Sequence, residues 1–254
     1  MMRSRRDVLR SSCGLAASTL AAAWPKPVKA QSTAFKAVLF DAFPIFDATP
    51  LAALSREHFG ERGEELTRLW RVRQFEYTWL RNAGQRYADF WKVTEDALVF
   101  ATTALKLDLT QQKQQAMMNA YLCLRAWPDV KPALAALRQH GLRLGFLSNF
   151  TERMLRSSVA SADLDGLFDV VLSTDRVRCF KPDPRAYQMG VDAFGLRREQ
   201  ILFVAFAGWD ASGARWFGYP TYWVNRLGSP PEALDVAANV VATDLSGLPA
   251  LATS

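Results

Sequence analysis

The hydrophobic pattern begins with a short strand and then changes to helical spacing. An apolar run at residues 37–40 ends at Asp41, which is the pattern of a buried parallel strand. Few strand signals occur between residues 50 and 126, and we predict an all-helical insertion there. Its richest segment is residues 66–81. The apolar side chains that recur there at helical spacing are Leu69, Val72, Tyr77 and Leu80.

After residue 127 the pattern alternates between helices and strands. Helices are predicted near residues 130–140, 152–162, 184–194 and 212–217, and strands at residues 142–147, 170–173, 201–205 and 221–224. Alternation of this kind predicts a parallel sheet with helices on both faces. We therefore expect an α/β fold, with a core formed by residues 31–47 and 128–254 and a helical cap formed by residues 48–127.

Polar and charged side chains follow several of the predicted strands. In open parallel sheets, ligands bind at the carboxyl ends of the strands. The residues that this rule selects are Asp41, Ser148, Asn149, Lys181 and Asp210. We predict that these side chains meet in one site.

Residues 1–30 have the features of an export signal. Residues 4–10 (SRRDVLR) resemble a twin-arginine signal, and an apolar stretch of mostly small residues follows at residues 13–23. Val28 and Ala30 fit a cleavage site before Gln31. The apolar stretch is too short for an ordinary transmembrane helix. We expect a cleaved leader and a periplasmic mature protein that folds before export.

The basic balance of the chain belongs mainly to this leader. The whole chain has a net charge of +6, and residues 1–30 carry six basic residues against Asp7 alone, a net of +5. The remaining +1 gives no argument for a nucleic-acid partner or an acidic partner. We expect no membrane association after the leader is cleaved. Only Cys123 and Cys179 remain beyond the leader, and neither belongs to a CxxC pair or a cluster of metal ligands.

The order of the polar residues resembles the haloacid-dehalogenase superfamily. The matching stretches are residues 39–43 (LFDAF), 147–149 (LSN), 180–183 (FKPD) and 209–210 (WD). Four further stretches narrow the resemblance: residues 69–71 (LWR), 74–81 (QFEYTWLR), 94–98 (TEDAL) and 209–214 (WDASGA). With these, the chain resembles the (S)-2-haloacid dehalogenases within that superfamily, which are type II enzymes.

The resemblance implies a Rossmann-like core, a helical cap and a hydrolase that cleaves carbon–halide bonds. Asp41 matches the nucleophile, which displaces halide from the carbon beside the substrate carboxylate and forms an ester. Lys181 would keep that carboxylate ionised. Arg71, reaching in from the cap, matches the residue that binds the substrate and receives the halide. The expected substrates are therefore short 2-haloalkanoic acids, which are converted to 2-hydroxy acids.

The resemblance also implies roles for residues around the nucleophile. Ser148 and the backbone at Asn149 would bind the substrate carboxylate. Asp210 would orient the water that hydrolyses the ester. Tyr187 matches a family position near the site. Apolar walls are expected from Phe43, Phe75, Phe90 and Trp209, although Phe75 could equally belong to the core of the cap.

Most superfamily members are magnesium-dependent phosphatases with a second aspartate two residues after the nucleophile. Here that position is Phe43, and no second carboxylate stands beside Asp210. One carboxylate at each place is a poor magnesium site. We therefore expect no metal and no other cofactor, and a phosphatase is the weaker interpretation.

Two segments depart from the family pattern. The family usually reads Asp-x-Tyr-Gly-Thr-Leu after the first strand, whereas residues 41–45 read DAFPI, with one residue fewer before Phe46. Before Trp209 the family usually has Ser-Ser-Asn-Ala, and residues 205–208 here read AFAG. Ala205 and Ala207 cannot donate hydrogen bonds to the nucleophile or to the hydrolytic water.

This loss of donors leaves several outcomes open. Another residue supplies the hydrogen bonds, the ester is hydrolysed slowly, or Asp41 acts on a different substrate. A protein of another class, which keeps the fold and binds a small carboxylate without catalysis, is the rival hypothesis. A homodimer is implied by the family resemblance alone.

Overall fold

The computed structural model describes residues 35–253. The predicted export signal at residues 1–30 lies outside the described residues. Within residues 35–253, no helix is long and apolar enough to cross a membrane.

A six-stranded parallel sheet forms the core of the protein. Eight strands occur in the described part of the chain: β1 (Ala37–Phe40), β2 (Phe46–Asp47), β3 (Arg125–Ala126), β4 (Arg143–Ser148), β5 (Val170–Ser173), β6 (Ile201–Ala205), β7 (Thr221–Val224) and β8 (Val240–Ala242). The sheet order is β5-β4-β1-β6-β7-β8, and every neighbouring pair is parallel. The α/β fold class is therefore confirmed.

Strand β1 lies at the centre because its side chains are apolar on both faces. Val38 and Phe40 belong to one buried cluster, and Ala37 and Leu39 belong to the cluster on the opposite face. This alternation follows from the two-residue period of a strand. All four residues are fully buried, as expected for a parallel strand covered by helices on both sides.

Helices flank the sheet and also form a separate layer. The α-helices of the described chain are α1 (Ala42–Ile45), α2 (Pro50–Phe59), α3 (Gly63–Ala83), α4 (Phe90–Ala104), α5 (Gln111–Ala120), α6 (Val130–Gln139), α7 (Glu152–Ser161), α8 (Pro184–Phe194), α9 (Gly208–Phe217) and α10 (Leu248–Ala252). Helices α2 to α5 occupy the predicted insertion. The chain enters and leaves this region through β2 and β3, which pair antiparallel. The division into core and cap at residues 47 and 128 stays a prediction.

The buried side of α3 contains only part of the predicted apolar pattern, because Leu69 and Tyr77 pack against the core but the other two residues do not. Val72 and Leu80 are exposed by 53% and 62%. The buried face contains Trp70, Gln74 and Thr78, at intervals of four residues. Gln74 Nε2 donates to Thr94 Oγ1 at 2.7 Å, and Trp70 Nε1 donates to the Thr94 carbonyl at 2.7 Å. Gln74 is buried here with a partner on α4, whereas the Thr78 hydroxyl donates to the Phe75 carbonyl of its own helix at 2.6 Å.

Helix α9 begins earlier than predicted. The predicted start at Ser212 is wrong, because the helix starts at Gly208 and is preceded by Ala207 in extended conformation. Ala207 has no side-chain oxygen that could cap the helix, so the sequence carries no start signal there. Asp210 consequently lies in the first turn of α9 rather than in the preceding loop.

Candidate active site

Asp41 lies at the carboxyl end of the central strand and caps the short helix α1. Its Oδ2 accepts from the backbone N–H of Phe43 at 3.2 Å. Its Oδ1 accepts from Ser148 Oγ at 3.1 Å and from Lys181 Nζ at 2.8 Å. Both carboxylate oxygens are therefore held by donors, on a strand that is itself fixed on both sides by neighbouring strands. A carboxylate in this position is held rigidly at the carboxyl end of the sheet.

Lys181 joins two carboxylates in the interior of the site. Its ammonium group donates to Asp41 Oδ1 and, at 2.6 Å, to Asp210 Oδ2. Only 1% of the Lys181 side chain is exposed. Burial acts to lower the pKa of Lys181, but Asp210 and Asp41 outweigh burial and the pKa lies above its ordinary value. The lysine thus remains a cation in contact with both carboxylates.

Asp210 is buried beside this lysine. Its Oδ1 accepts from the Tyr187 hydroxyl at 2.7 Å. Burial raises the pKa of Asp210 from 3.8 to about 6; Lys181 opposes this rise and the negative charge of Asp41 adds to it. A carboxylate with such a pKa is ionised at neutral pH and is also basic enough to accept a proton from water.

Arg71 enters the site from helix α3. Its guanidinium lies 4.4 Å from the ring centroid of Phe43 and 5.4 Å from the centroids of Phe75 and Phe206. Burial lowers the pKa of Arg71, partly offset by Tyr121 and by Asp41. Among residues 35–253, no carboxylate forms a salt bridge with this guanidinium. Aromatic faces therefore hold the cation while its hydrogen-bonding edges stay available for an anion.

These side chains line a small cavity of about 10 Å³ between the helical region and the carboxyl ends of the strands. It contains all of the predicted site residues except Lys181 and Tyr187, which lie behind the two carboxylates. The lining residues are Asp41, Phe43, Arg71, Phe75, Phe90, Ser148, Asn149, Phe150, Phe206, Ala207, Trp209 and Asp210. The Phe75 and Trp209 rings lie 5.2 Å apart, so Phe75 forms a wall of the cavity and not only core of the cap.

Three residues of this cavity were not predicted as binding residues. Phe150 follows the Ser-Asn pair, and Phe206 and Ala207 join β6 to α9. Their position after the ends of β4 and β6 is the signal that could have identified them. Apolar residues in loops carry no periodic pattern, so their side chains gave no further indication.

Ser148 and Asn149 make contacts within the protein in addition to facing the cavity. Ser148 Oγ donates to Asp41, and Asn149 Oδ1 accepts from the backbone N–H of Lys181 at 3.0 Å and from Thr174 Oγ1 at 3.3 Å. Asn149 Nδ2 is buried without a hydrogen-bond partner in the described chain. The roles of the two residues in binding a carboxylate stay a prediction.

Ala205 and Ala207 stand at the two positions where the family has hydrogen-bond donors, and both lie close to the site. Ala205 is fully buried at the end of β6, and Ala207 lines the cavity. The Asp41 carboxylate nevertheless receives three hydrogen bonds, from Phe43 N–H, Ser148 and Lys181. The ground state of the nucleophile is therefore well supported without donors from residues 205 and 207.

The shortened nucleophile loop is held by residues from outside it. Trp127 Nε1 donates to the Phe43 carbonyl at 3.1 Å, and Trp127 N–H donates to the Ile45 carbonyl at 3.1 Å. Arg226 donates to the Pro44 carbonyl at 3.0 Å and pairs with Asp129 at 2.8 Å. These bonds fix the loop although Pro44 has no N–H of its own.

Residues 35–253 contain no cluster of three or more His, Cys, Asp or Glu side chains with the arrangement of a metal site. The two carboxylates nearest the cavity floor, Asp41 and Asp210, are joined by the Lys181 ammonium. The local charge of the site is thus set by lysine, arginine and two carboxylates.

A parallel sheet with a buried, lysine-bound aspartate at the end of its central strand defines an α/β enzyme core suited to covalent catalysis by a carboxylate. Comparison with protein families matches residues 16–218 to the haloacid dehalogenase-like hydrolases. The chain belongs to this family.

Relatives of this chain cover nearly its whole described length. An (S)-2-haloacid dehalogenase of Pseudomonas sp. (strain YL) is 42% identical over 195 residues, which span 76% of this chain and 84% of that protein. The crystal structure of an L-2-haloacid dehalogenase matches with a TM-score of 0.85 and 45% identity over 87% of this chain and all of the other. The L-2-haloacid dehalogenase of Xanthobacter autotrophicus with chloropropionic acid covalently bound matches with a TM-score of 0.79 and 34% identity, over 85% of this chain and 98% of that one.

Proposed function

We propose that the protein is a 2-haloacid dehalogenase that hydrolyses short 2-haloalkanoic acids through an ester on Asp41. The observation that carries the proposal is the pairing of charges across the cavity. A lysine-bound carboxylate stands on one wall, and the Arg71 guanidinium, held by aromatic rings, stands near it with no salt bridge among residues 35–253. A substrate with a carboxylate and a departing halide supplies the anions that this arrangement accommodates.

In the first step the Asp41 carboxylate attacks carbon 2 of the substrate. A carbon–oxygen bond forms, the carbon–halogen bond breaks, and the halide leaves with the bonding electron pair. Arg71 stabilises the departing anion, and the rings of Phe43 and Phe206 exclude water from the reacting atoms. Lys181 stays in contact with Asp41 and compensates the negative charge around the nucleophile.

In the second step water attacks the ester carbonyl carbon of Asp41. Asp210 accepts the proton of that water, and the tetrahedral intermediate releases the 2-hydroxy acid and restores the Asp41 carboxylate. The raised pKa of Asp210, about 6, fits this role. The balance is one haloacid and one water consumed for one hydroxy acid, one halide and one proton.

The solved relatives support this route. Chloropropionic acid is covalently bound in the Xanthobacter autotrophicus protein, whose fold this chain shares over most of its length. The curated relatives include several (S)-2-haloacid dehalogenases and a haloacetate dehalogenase of Moraxella sp. (strain B) at 37% identity.

Halide release from (S)-2-chloropropionate and chloroacetate tests the proposal. We expect release by the parent protein, none by Asp41→Asn, and an unchanged rate in Asp165→Asn, since Asp165 is an exposed residue of the core. Mass spectrometry of quenched reactions should find an ester on the peptide that contains Asp41. In water with a heavy oxygen isotope, a single turnover should place the label in Asp41 and not in the product.

The alternatives give different results in the same experiment. Tight binding of 2-haloacids or lactate without halide release favours a non-catalytic carboxylate-binding protein. An ester that accumulates without product identifies blocked hydrolysis. Hydrolysis of a phosphate ester that depends on added magnesium favours a phosphatase. The first and third results contradict the whole proposal, and the second contradicts its hydrolytic step.

We further propose that the mature protein is an exported, periplasmic homodimer. The twin-arginine pattern of residues 4–10 supports export, and exposed apolar side chains on α3 and α4 support self-association. Fractionation of cells that express the full chain tests export. Replacing Arg5 and Arg6 by lysine should retain the protein in the cytoplasm.

A further inference from the structure

Asn82 connects the end of α3 to the backbone that precedes the active-site lysine. Its side-chain Nδ2 donates to the Phe180 carbonyl at 2.7 Å, and its Oδ1 accepts from the Phe180 N–H at 2.9 Å. One side chain therefore satisfies both polar groups of a single residue in the core. The pairing is separated by 98 positions in the sequence, so only the folded arrangement creates it.

The next residue, Lys181, is fixed in a similar way. Its backbone N–H donates to Asn149 Oδ1 at 3.0 Å. Side chains from two different elements thus hold two consecutive residues of this loop, and the Lys181 ammonium reaches Asp41 and Asp210 from that fixed backbone. A shift of the Phe180 backbone would move the origin of the lysine side chain directly.

We propose that Asn82 is a positioning residue, which sets the location of Lys181 between Asp41 and Asp210. This inference rests on the proposed function, because it assigns Asn82 a role in the reaction of that site. Asn82 does not line the cavity that contains the reacting atoms. It acts through the backbone of Phe180.

Helix α3 carries both Asn82 and Arg71, so the positions of the two cations of the site are related through this helix. Arg71 lies on the same helix, about three turns before Asn82. The middle of α3 therefore carries Arg71, and the end of α3 carries Asn82, which binds the backbone before Lys181. A rotation or shift of α3 changes the positions of both cations together.

The other contacts between this part of the helical region and the core are of a different kind. The Tyr87 hydroxyl donates to Asp175, and the Tyr87 ring lies 5.2 Å from the Phe180 ring. These contacts attach side chains to the core but leave the backbone groups of Phe180 untouched. Tyr87→Phe removes a hydrogen bond across the same junction and keeps the ring, so it is the matched control for Asn82→Ala.

Steady-state kinetics over a range of pH separate positioning from simple stabilisation. In Asn82→Ala we expect kcat to fall by about tenfold to a hundredfold, because small displacements of catalytic groups have effects of this size. KM should change by less than about threefold, since the cavity lining is intact. The acid limb of kcat should move upward by about one pH unit. A displaced Lys181 ammonium no longer lowers the pKa of Asp210 as strongly. Asp41, Lys181 and Tyr187 are the other titratable groups that face Asp210.

A second variant and a direct measurement complete the test. Asn82→Asp keeps the acceptor for Phe180 N–H and replaces the donor by an oxygen that faces the Phe180 carbonyl, so it should shift the acid limb in the same direction. Tyr87→Phe should keep the parent limb. An unchanged limb in both Asn82 variants, or an equal shift in Tyr87→Phe, overturns the proposal.

The crystal structure of Asn82→Ala gives an answer that does not depend on dehalogenase activity. We expect the Lys181 ammonium to leave its position 2.6 Å from Asp210 and 2.8 Å from Asp41. Unchanged distances overturn the inference. If the parent protein releases no halide, the proposed function fails, while the displacement of Lys181 still decides whether Asn82 positions it.

Discussion

At the scale of single residues, the site is governed by how it compensates buried charge. Lys181 is buried between two carboxylates, and a buried charge without a partner costs far more than a paired one. Two carboxylates and one ammonium leave a net negative charge, which the Arg71 guanidinium balances from across the cavity. The four groups together make a neutral site, and a substrate anion that enters it needs Arg71 as its counter-charge.

The raised pKa of Asp210 predicts the pH dependence of both activity and stability. Asp210 must be ionised to accept a proton from water, so kcat should rise as pH increases through about 6. For stability the sign is opposite. Its folded pKa lies above 3.8, so its contribution to folding is complete below that pH and is lost as pH rises through about 6.

The Asp210→Asn variant checks both parts of this prediction. It should lose hydrolysis and accumulate the Asp41 ester. In urea unfolding, its free energy of unfolding should no longer fall as pH rises through about 6. Glu199→Gln is the control, since the Glu199 side chain is 61% exposed and does not line the cavity. An acid limb of kcat that persists near pH 6 with measurable turnover in Asp210→Asn would contradict the assignment.

At the scale of elements, the bounds of the strands could be predicted from the sequence, but which side of a helix is buried was harder to predict. Buried parallel strands consist of apolar runs, and β5, β6 and β7 have the bounds that the pattern indicates. Strand β8 has only three residues and none of them is buried, so it gives no comparable signal. Helix α3 shows why the prediction of a buried helix face fails. Its buried Gln74 is stabilised by Thr94 of another helix, and a pattern that counts only apolar residues cannot include such a pair.

The candidate site was predictable wherever chemistry and topology coincide. Asp41, Lys181 and Asp210 follow strands of one parallel sheet, so their residue types and places in the chain were sufficient. Asn82 was not predictable, because its role depends on an approach to Phe180 that only the packing of α3 against the core creates.

The start of α9 leads to a prediction about an element. Ala207 occupies the N-cap in extended conformation and has no side chain that can accept from the first turn. Ala207→Asn should increase the free energy of unfolding by about 1 kcal/mol, because asparagine is a favoured N-cap. The new amide would also stand in the cavity near Asp41, so ester hydrolysis should become faster.

Urea unfolding and quenched-flow measurement of the ester check these two effects. Thr151→Ala is the counterpart, since Thr151 already caps α7 by accepting from Met154 N–H. It should decrease the free energy of unfolding by about 1 kcal/mol and leave ester hydrolysis unchanged. A destabilised Ala207→Asn variant with slower hydrolysis would show that the cavity has no room for the amide.

At the scale of the whole molecule, the helical region has an apolar outer surface as well as an inner one. The large apolar side chains exposed there include Val72 and Leu80 on α3, and Val99 and Phe100 on α4. Val72 and Leu80 are eight residues apart, which places them near the same face of the helix. Since the burial of α3 towards the core is provided by other residues, this surface is free to associate with a second copy.

Self-association through this surface is tested by charge substitution. Because a homodimer interface excludes an unpaired charge from its apolar centre, Leu80→Lys should make the protein monomeric in sedimentation velocity. Leu227→Lys is the matched control, because Leu227 is exposed by 63%, like Leu80 at 62%, but lies in a loop of the core. We expect that control to sediment as the parent does. A dimer that survives Leu80→Lys with undiminished affinity would place the interface elsewhere, and a parent protein that is monomeric at all concentrations would exclude the homodimer.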